Sequence, residues 1–327
     1  MKVIIPLAGK GTRLLPLTRH VPKPLLKVAG RPVLDWVMDT LSPLDLDELI
    51  FITGHLKEDV EAHVRHRYDI PSRFVEQKVQ DGTAGAVALA RDYVDGPVLI
   101  VFVDTLFDAD LTLVNRLDAD GIIWAKEVED YQRFGVVVTD EQGYMRRIVE
   151  KPSEPISKLA NIGLYYIRDW QALYAGIADT MARPQQKGEW YLTDAFQYMI
   201  DQGRRIYAAE VTGWYDCGKV ETVLATNQHL LEHGHACRPA AVPDGVTIVD
   251  PVHIEDGVSL SRCQIGPNVT IEAGATIDCA TVAHTIVGAG ATVHYGNVVG
   301  SLIGDGAVVK GDLTGMVVTR DEAAKAR

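Results

Sequence analysis

From residue 2 to about residue 235, short apolar runs alternate with amphipathic stretches. KVIIPLA is followed by RPVLDWVMDTL, ELIFIT by KEDVEAHVRHR, RFVEQ by TAGAVALARDYV, and PVLIVFVD by a short helical pattern from about Leu111. Strand then helix, repeated, predicts right-handed crossovers onto a largely parallel sheet. After Asp120 the helical pattern drops out, and GIIWAKEV, FGVVVTD, YMRRIVEKP and LANIGLYYIRD follow one another before helices resume near Asp169. That succession predicts a mixed sheet with an extended ligand-binding part. Ligands on such sheets bind at the carboxyl ends of the strands.

Past about residue 240 the period changes. Aliphatic residues recur every five or six positions, at Ile248, Ile254, Leu260, Ile265, Ile271, Ile277, Val282, Val287, Val293, Val298, Ile303 and Val309, with Gly, Asn and Asp between them. This repeat predicts single strands stacked into a parallel β-helix whose aliphatics form one inner column, with about twelve rungs making roughly four coils. A β-sandwich would instead alternate at period two and carry hairpin turns. Two domains follow, 1–238 and 239–327, and the closing TRDEAAKAR reads as a frayed tail. An exposed coil end would offer unpaired strand edges to a second subunit, so a homo-oligomer is expected.

A chain of 327 residues with 47% hydrophobic content can bury a full core. Its net charge of −12 argues against nucleic-acid and membrane partners, which would require a broad basic face. No apolar run approaches membrane-spanning length, and VIIPLA lacks the features of a signal peptide, so a cytoplasmic protein is expected. Four cysteines without C-x-x-C or zinc-finger spacing point to a reduced compartment and no structural zinc. The charge balance reverses in one place. Seven Lys/Arg precede the first acidic residue, Asp35, and five of them lie in PLAGKGTRLLPLTRHVPKPLLKV, residues 6–28.

This opening matches neither familiar phosphate motif. The third glycine of G-x-G-x-x-G would fall at Leu14, and the P-loop spacing is missing. What remains is a strand ending in a glycine-rich loop, whose free N–H groups can form an anion nest, followed by Arg13, Arg19, Lys23 and Lys27. Arg clamps phosphate in a bidentate fork and Lys acts as a point charge, while Pro16, Pro22 and Pro24 restrict the loop. A merely solvated basic loop would be expected to carry acidic neighbours, and this one has none. His229, His233 and His235 read as a helix end stopped by Gly234, with a metal site as the alternative.

The stretch LAGKGTRLLPLTRHVPKPLLKVAGRPVL resembles the opening of sugar-1-phosphate nucleotidylyltransferases, and the resemblance continues in order through EQKVQDGTAGAV, VFVDTLF, FGVVV, EKP, NIGLYYI, GEWYLTDAFQYMIDQG and GWYDCG. It implies an α/β fold: a Rossmann-like nucleotidyltransferase domain with a mixed central sheet, followed by a left-handed parallel β-helix of hexapeptide repeats. It also implies a magnesium-dependent reaction of a nucleoside triphosphate with a sugar 1-phosphate. Arg13 and Lys23 match the positions that hold the triphosphate and steady the leaving group. Leu7, Ala8, Gly9, Gly11, Gln77 and Gly82 match nucleotide-binding positions. Gly135, Glu150, Lys151 and Asn161 match sugar-phosphate positions, and Asp104 and Asp216 the metal pair.

The Gln77 amide offers a donor and an acceptor side by side, complementary to thymine or uracil. On residue type alone, Asp104 at the end of PVLIVFVD also reads as a helix cap, and so do Asp108 and Asp110. GEWYLTDAFQYMIDQG and the appended β-helix look like the long form of glucose-1-phosphate thymidylyltransferase, which implies dTTP and glucose 1-phosphate. The shorter PLAGKGTR spacing is similar to that of bacterial uridylyl enzymes, which implies UTP. Two other classes are a non-catalytic regulatory subunit, disfavoured by retention of Arg13, Lys23, Asp104 and Asp216, and a bifunctional acyltransferase using His253, His284 and His294.

Overall fold

The fold is that of a computed structural model, which describes residues 1–321 and the backbone of Ala324–Lys325. Packing divides the chain into two compact units: Met1–Lys10 with Val37–Trp214, and Gly11–Trp36 with Tyr215 onward.

The first unit is built on a nine-stranded mixed sheet. Ser72–Glu76, Glu48–Thr53, Lys2–Pro6 and Val98–Val101 lie side by side and parallel. Leu159–Ile167 then runs antiparallel to Val98–Val101, and on the far side it pairs with Gly121–Glu127. The hairpin Gly135–Thr139 and Met145–Glu150 adds antiparallel strands, and Ile206–Glu210 closes the other branch. The change from parallel to antiparallel falls where the strand–helix rhythm stops in the sequence. Val3, Ile4 and Ile5 are fully buried, as a central strand covered on both faces requires. Leu173 and Ile177 of helix Trp170–Met181, and Phe196 and Met199 of helix Leu192–Asp201, pack in one core with Ile4, Ile100, Ile123 and Tyr165.

The second unit contains the β-helix. The twelve aliphatic positions sort by strand register into three columns rather than one. Ile248, Ile265, Val282 and Val298 form the first, Ile254, Ile271, Val287 and Ile303 the second, and Leu260, Ile277, Val293 and Val309 the third. Each coil turns three corners, so each flat face contributes its own column. Leu313 and Val318 extend the first two columns by a further step. Gly257, Gly274, Gly290 and Gly306 recur at one corner with φ of 80°, 74°, 64° and 64°, a conformation that disfavours a side chain. The stretch TRDEAAKAR begins held rather than frayed: Thr319 is buried and Asp321 pairs with His20 at 2.6 Å. Residues 322, 323, 326 and 327 lie outside the described residues.

The segment Gly11–Trp36 packs in this second unit. Lys27 Nζ donates to Glu272 Oε2 at 2.7 Å, and Glu272 is buried. Burial pushes the Glu272 carboxyl from its ordinary 4.5 up to about 7; Lys27 pulls the other way, while Asp305 and Glu255 push further up. Burial also opposes charge on Lys27, yet it stays above its ordinary value because those same carboxylates attract it.

The stability contribution of a carboxyl raised in the fold is fully present below about pH 4.5 and is lost as pH rises through about 7. Glu272→Gln removes that charge and leaves Lys27 only a neutral acceptor, a weaker hold than a carboxylate. It raises the thermal midpoint at pH 8 by the equivalent of about 1–2 kcal/mol, and the gain shrinks toward zero at pH 5. Calorimetric scans of both proteins at the two pH values check this. A difference that does not change with pH would remove the Glu272 carboxyl as its source.

Candidate active site

In the first unit, Gly135, Glu150, Lys151 and Asn161 come together although the sequence spreads them over 27 positions. Asn161 Nδ2 donates to the Gly135 carbonyl at 2.8 Å, and Tyr165 Oη donates to Asn161 Oδ1. The Asn161 side chain is therefore held at both ends. The Leu159–Ile167 strand breaks register between Asn161 and Tyr165, a bulge of the kind that re-aims a side chain. At its centre Gly163 has φ 82° and accepts the Phe102 N–H at 2.9 Å.

Glu150 ends the strand Met145–Glu150. Its Oε2 accepts from Thr193 Oγ1 at 3.2 Å, and its Oε1 lies 3.4 Å from Lys151 Nζ. Burial raises the Glu150 carboxyl above the ordinary range, more than Lys151 and Thr193 lower it. Lys151 has φ 44°, a left-handed backbone that is strained for a lysine, and its ammonium sits 4.8 Å from the centre of the Tyr191 ring. A half-buried carboxylate, a fixed amide and a lysine together can bind hydroxyls and a phosphate.

The EQKVQDG loop forms a second group in the same unit. Gln77 is buried, and its Nε2 donates to Asp81 Oδ1 at 2.8 Å and to the Gly82 carbonyl at 3.3 Å. The donor half of the amide thus holds the turn, which leaves Oε1 as the half that can accept from a ligand. Gly82 has φ 110°, and a Cβ there would fall 2.4 Å from the Trp190 carbonyl oxygen. Gln80 Nε2 donates to the Ala8 carbonyl at 2.7 Å, and a Cβ on Gly54 would lie 2.9 Å from that same oxygen. Leu7 and Ala8 are buried behind the strand Lys2–Pro6, whereas Gly9 is exposed and a Cβ on it would meet nothing within 4 Å. Among the described residues no contact demands glycine at position 9, so its value lies in leaving the backbone open.

Asp104 stands in the turn between Val98–Val101 and Thr105–Asp108, beyond the strand end rather than on it. Asp108 is the last residue of the second of these strands. Asp110 accepts the Thr112 N–H at 3.0 Å, an Asx turn ahead of the helix Leu113–Arg116, whose N-cap is Thr112, so neither Asp108 nor Asp110 is the cap of that helix.

The cationic loop belongs to the second unit. Gly11 has φ 62°, its carbonyl accepts from Thr18 Oγ1 at 2.9 Å, and a Cβ there would lie 2.9 Å from Thr18 Cγ2 and 3.3 Å from Lys23 Cβ. Arg13 sits in a single turn of 3-10 helix, Thr12–Leu14, and is exposed. Lys27, grouped by sequence with the anion-binding cations, is instead engaged by Glu272. Asp216 ends the strand Gly213–Asp216, and its Oδ1 accepts the Gly218 N–H at 2.8 Å. Tyr215, His229 and His233 stack in a ladder, with ring centres 3.9 and 4.0 Å apart. Stacked faces do not converge ring nitrogens on one ion, and among the described residues no group of three or more His, Cys, Asp or Glu does so.

Sequence reasoning missed Thr193, Tyr165, Tyr191, Gln80 and Gly54. Tyr191 and Thr193 lie inside GEWYLTDAF, Gln80 inside EQKVQDG and Tyr165 inside NIGLYYI, so a motif signal was present for four of the five.

Residues 2–233 match the family model described as nucleotidyl transferase. The bifunctional protein GlmU of Methanococcus aeolicus is 34% identical over 261 residues, covering 80% of this chain and 62% of that protein. The UTP–glucose-1-phosphate uridylyltransferase AglF of Haloferax volcanii is 32% identical over 240 residues, covering 71% of this chain and 97% of its own. A glucose-1-phosphate thymidylyltransferase of Streptomyces griseus is 26% identical over 286 residues, covering 85% and 79%. A crystal structure of UDP-glucose pyrophosphorylase complexed with UDP-glucose shares the fold, with a TM-score of 0.64 at 23% identity, covering 71% of this chain and 98% of that one. The chain thus spans less than two thirds of the length of the GlmU proteins it matches and nearly all of AglF. With the match running through the strand–helix part from residue 2 to residue 233, the chain belongs to the nucleotidyl transferase family.

Proposed function

We propose that this chain transfers a nucleotidyl group from a pyrimidine nucleoside triphosphate, dTTP in the first instance, to glucose 1-phosphate, releasing pyrophosphate. The observation that carries the reading is the cluster of Gly135, Glu150, Lys151 and Asn161, in which a carboxylate, an amide and a lysine face one another. A phosphate oxygen of the sugar attacks the α-phosphorus, the bond to the β-phosphate oxygen breaks, and pyrophosphate leaves. The second phosphate pKa is about 6, so the nucleophile is already ionised and no general base is required. The difficulty is to hold two polyanions in line and to stabilise charge on the leaving group. Arg13 and Lys23 serve that purpose, with Gly9 and Gly11 offering backbone N–H groups. Lys151 takes the sugar phosphate, and Glu150 with Asn161 binds its hydroxyls.

Asp104 and Asp216 supply hard carboxylate oxygens that suit magnesium, and the Gly218 N–H fixes one Asp216 oxygen in place. Bound magnesium would neutralise charge on the triphosphate. Gln77 Oε1 accepts the N3–H of the base, and the Gly82 N–H donates to O4. Gln77→Ala accordingly narrows the preference for pyrimidine over purine triphosphates by about tenfold, the worth of one good hydrogen bond, while transfer continues. Competition between dTTP and ATP measures it, and an unchanged ratio would strip Gln77 of this role.

UTP is the second reading, favoured by the similarity to AglF along nearly its whole length. Initial rates of pyrophosphate release with dTTP, UTP, ATP, GTP and CTP against glucose 1-phosphate test the proposal and separate the two pyrimidines. Folded protein that releases no pyrophosphate with any of them would overturn it. We further read residues 1–238 as the catalytic domain and 239–327 as the β-helix domain of a cytoplasmic homo-oligomer.

A further inference from the structure

The strand pair that follows the cationic loop, Lys27–Val28 with Arg31–Pro32, is fastened to the β-helix and to Asn227 of the helix Val220–Leu230. Lys27 Nζ donates to Glu272 Oε2 at 2.7 Å. The Ala29 N–H donates to Asn227 Oδ1 at 2.8 Å, and Thr270 Oγ1 donates to that same oxygen at 2.7 Å. Gly30, with φ 77°, lies so close to His253 that a Cβ would fall 2.2 Å from its Nε2. Asn227 and Thr270 are fully buried and Glu272 is 5% exposed. Thr270 and Glu272 flank Ile271 of the inner column, and alternation along a strand turns both outward on the same side.

A buried, singly oriented hydrogen-bond network of this kind fixes geometry, and its loss leaves polar groups unpaired. Only three residues separate Lys23 from Lys27. Lys23 opens the 3-10 turn Lys23–Leu25, the Leu26 N–H donates to the Lys23 carbonyl, and the Val33 N–H donates to the Leu26 carbonyl. The anchor and the cation are thus joined by a short, internally bonded link with little slack.

We propose that Thr270, Glu272 and Asn227 are positioning residues for the triphosphate: the β-helix, directly through Glu272 and by way of Asn227 through Thr270, sets the place of Lys23 by holding Lys27 and Ala29. This rests on the reading of Arg13 and Lys23 as triphosphate ligands, and it gives the β-helix a part in the reaction beyond assembly.

The test uses the full chain with Thr270→Val, Thr270→Ser and Glu272→Gln. Hydrogen exchange of peptides covering residues 11–30, measured without substrate, reads the hold on the loop directly. Thr270→Val and Glu272→Gln each speed that exchange by about tenfold, and Thr270→Ser, which keeps the hydroxyl, does not. In steady-state kinetics the same two variants raise KM for dTTP about five- to tenfold, and KM for glucose 1-phosphate stays within about twofold. Glu272→Gln does so while gaining thermal stability at pH 8, which a merely structural role would not produce. Unchanged exchange over 11–30, or equal rises in both KM values, would overturn the proposal. If the unaltered protein transfers no nucleotide, the functional reading fails, and the exchange comparison alone still decides whether the β-helix holds the loop.

Discussion

Arg13→Ala lowers kcat by roughly 10²–10³ and leaves the thermal midpoint where it was, the drop being that typical of removing one preorganised donor from developing charge. Arg13 lies on the surface in a single 3-10 turn, so the fold loses little when its guanidinium is removed. The same group supplies a bidentate fork to a phosphate, which a lysine does not reproduce. Arg13→Lys therefore recovers only part of the rate. Steady-state rates paired with calorimetry check both points. A kcat within about threefold of the unaltered protein would mean that Arg13 does not meet the leaving group.

Gly135→Ala acts on the other substrate. The new methyl group would lie 2.2 Å from Asn161 Nδ2, 2.7 Å from Thr193 Cγ2 and 3.0 Å from Glu150 Oε2. None of these neighbours can simply swing away. Asn161 is held by the Gly135 carbonyl and by Tyr165, and Glu150 by Thr193 and Lys151. Overpacking of this kind costs about 1–3 kcal/mol of stability. The displacement falls on the residues assigned to the sugar, so KM for glucose 1-phosphate rises at least about tenfold while KM for dTTP changes little. Gly96→Ala is the control, because a Cβ there meets nothing within 4 Å. Parallel changes in the two KM values would point to general loosening of the fold and count against the sugar site.

Much of this was legible in the chain because its signals are local and periodic. The switch from strand–helix alternation to consecutive strands after Asp120 coincides with the switch from parallel to antiparallel pairing at Leu159–Ile167. All twelve aliphatic positions of the C-terminal repeat fall into columns of the β-helix. That there are three columns depends on the corners, where the chain turns between faces, and a one-dimensional period does not report them. The assignment of roles to Gly135, Glu150, Lys151 and Asn161 came from family resemblance. Alone, Glu150 and Lys151 are an ordinary charge pair at a strand end.

What stayed hidden was contact between distant parts of the chain. Lys27 belongs by sequence to a run of anion-binding cations, and the carboxylate that engages it lies 245 residues away. By sequence Gln77 presents both halves of its amide, but the Asp81 carboxylate and the Gly82 carbonyl take its donor half within the same loop. Thr193 lies within GEWYLTDAF, yet no sequence pattern joins it to Glu150, which it reaches because helix Leu192–Asp201 begins beside that carboxylate.

In the proposed reaction the sugar phosphate displaces pyrophosphate directly at the α-phosphorus. ³¹P NMR of the protein with dTTP, magnesium and glucose 1-phosphate labelled with ¹⁸O in its phosphate tests it most directly. Direct displacement yields one equivalent of pyrophosphate for each nucleoside diphosphate sugar formed, with the label kept in the bridge between the two phosphorus atoms. Orthophosphate in place of pyrophosphate, or a bridge without the label, would contradict it.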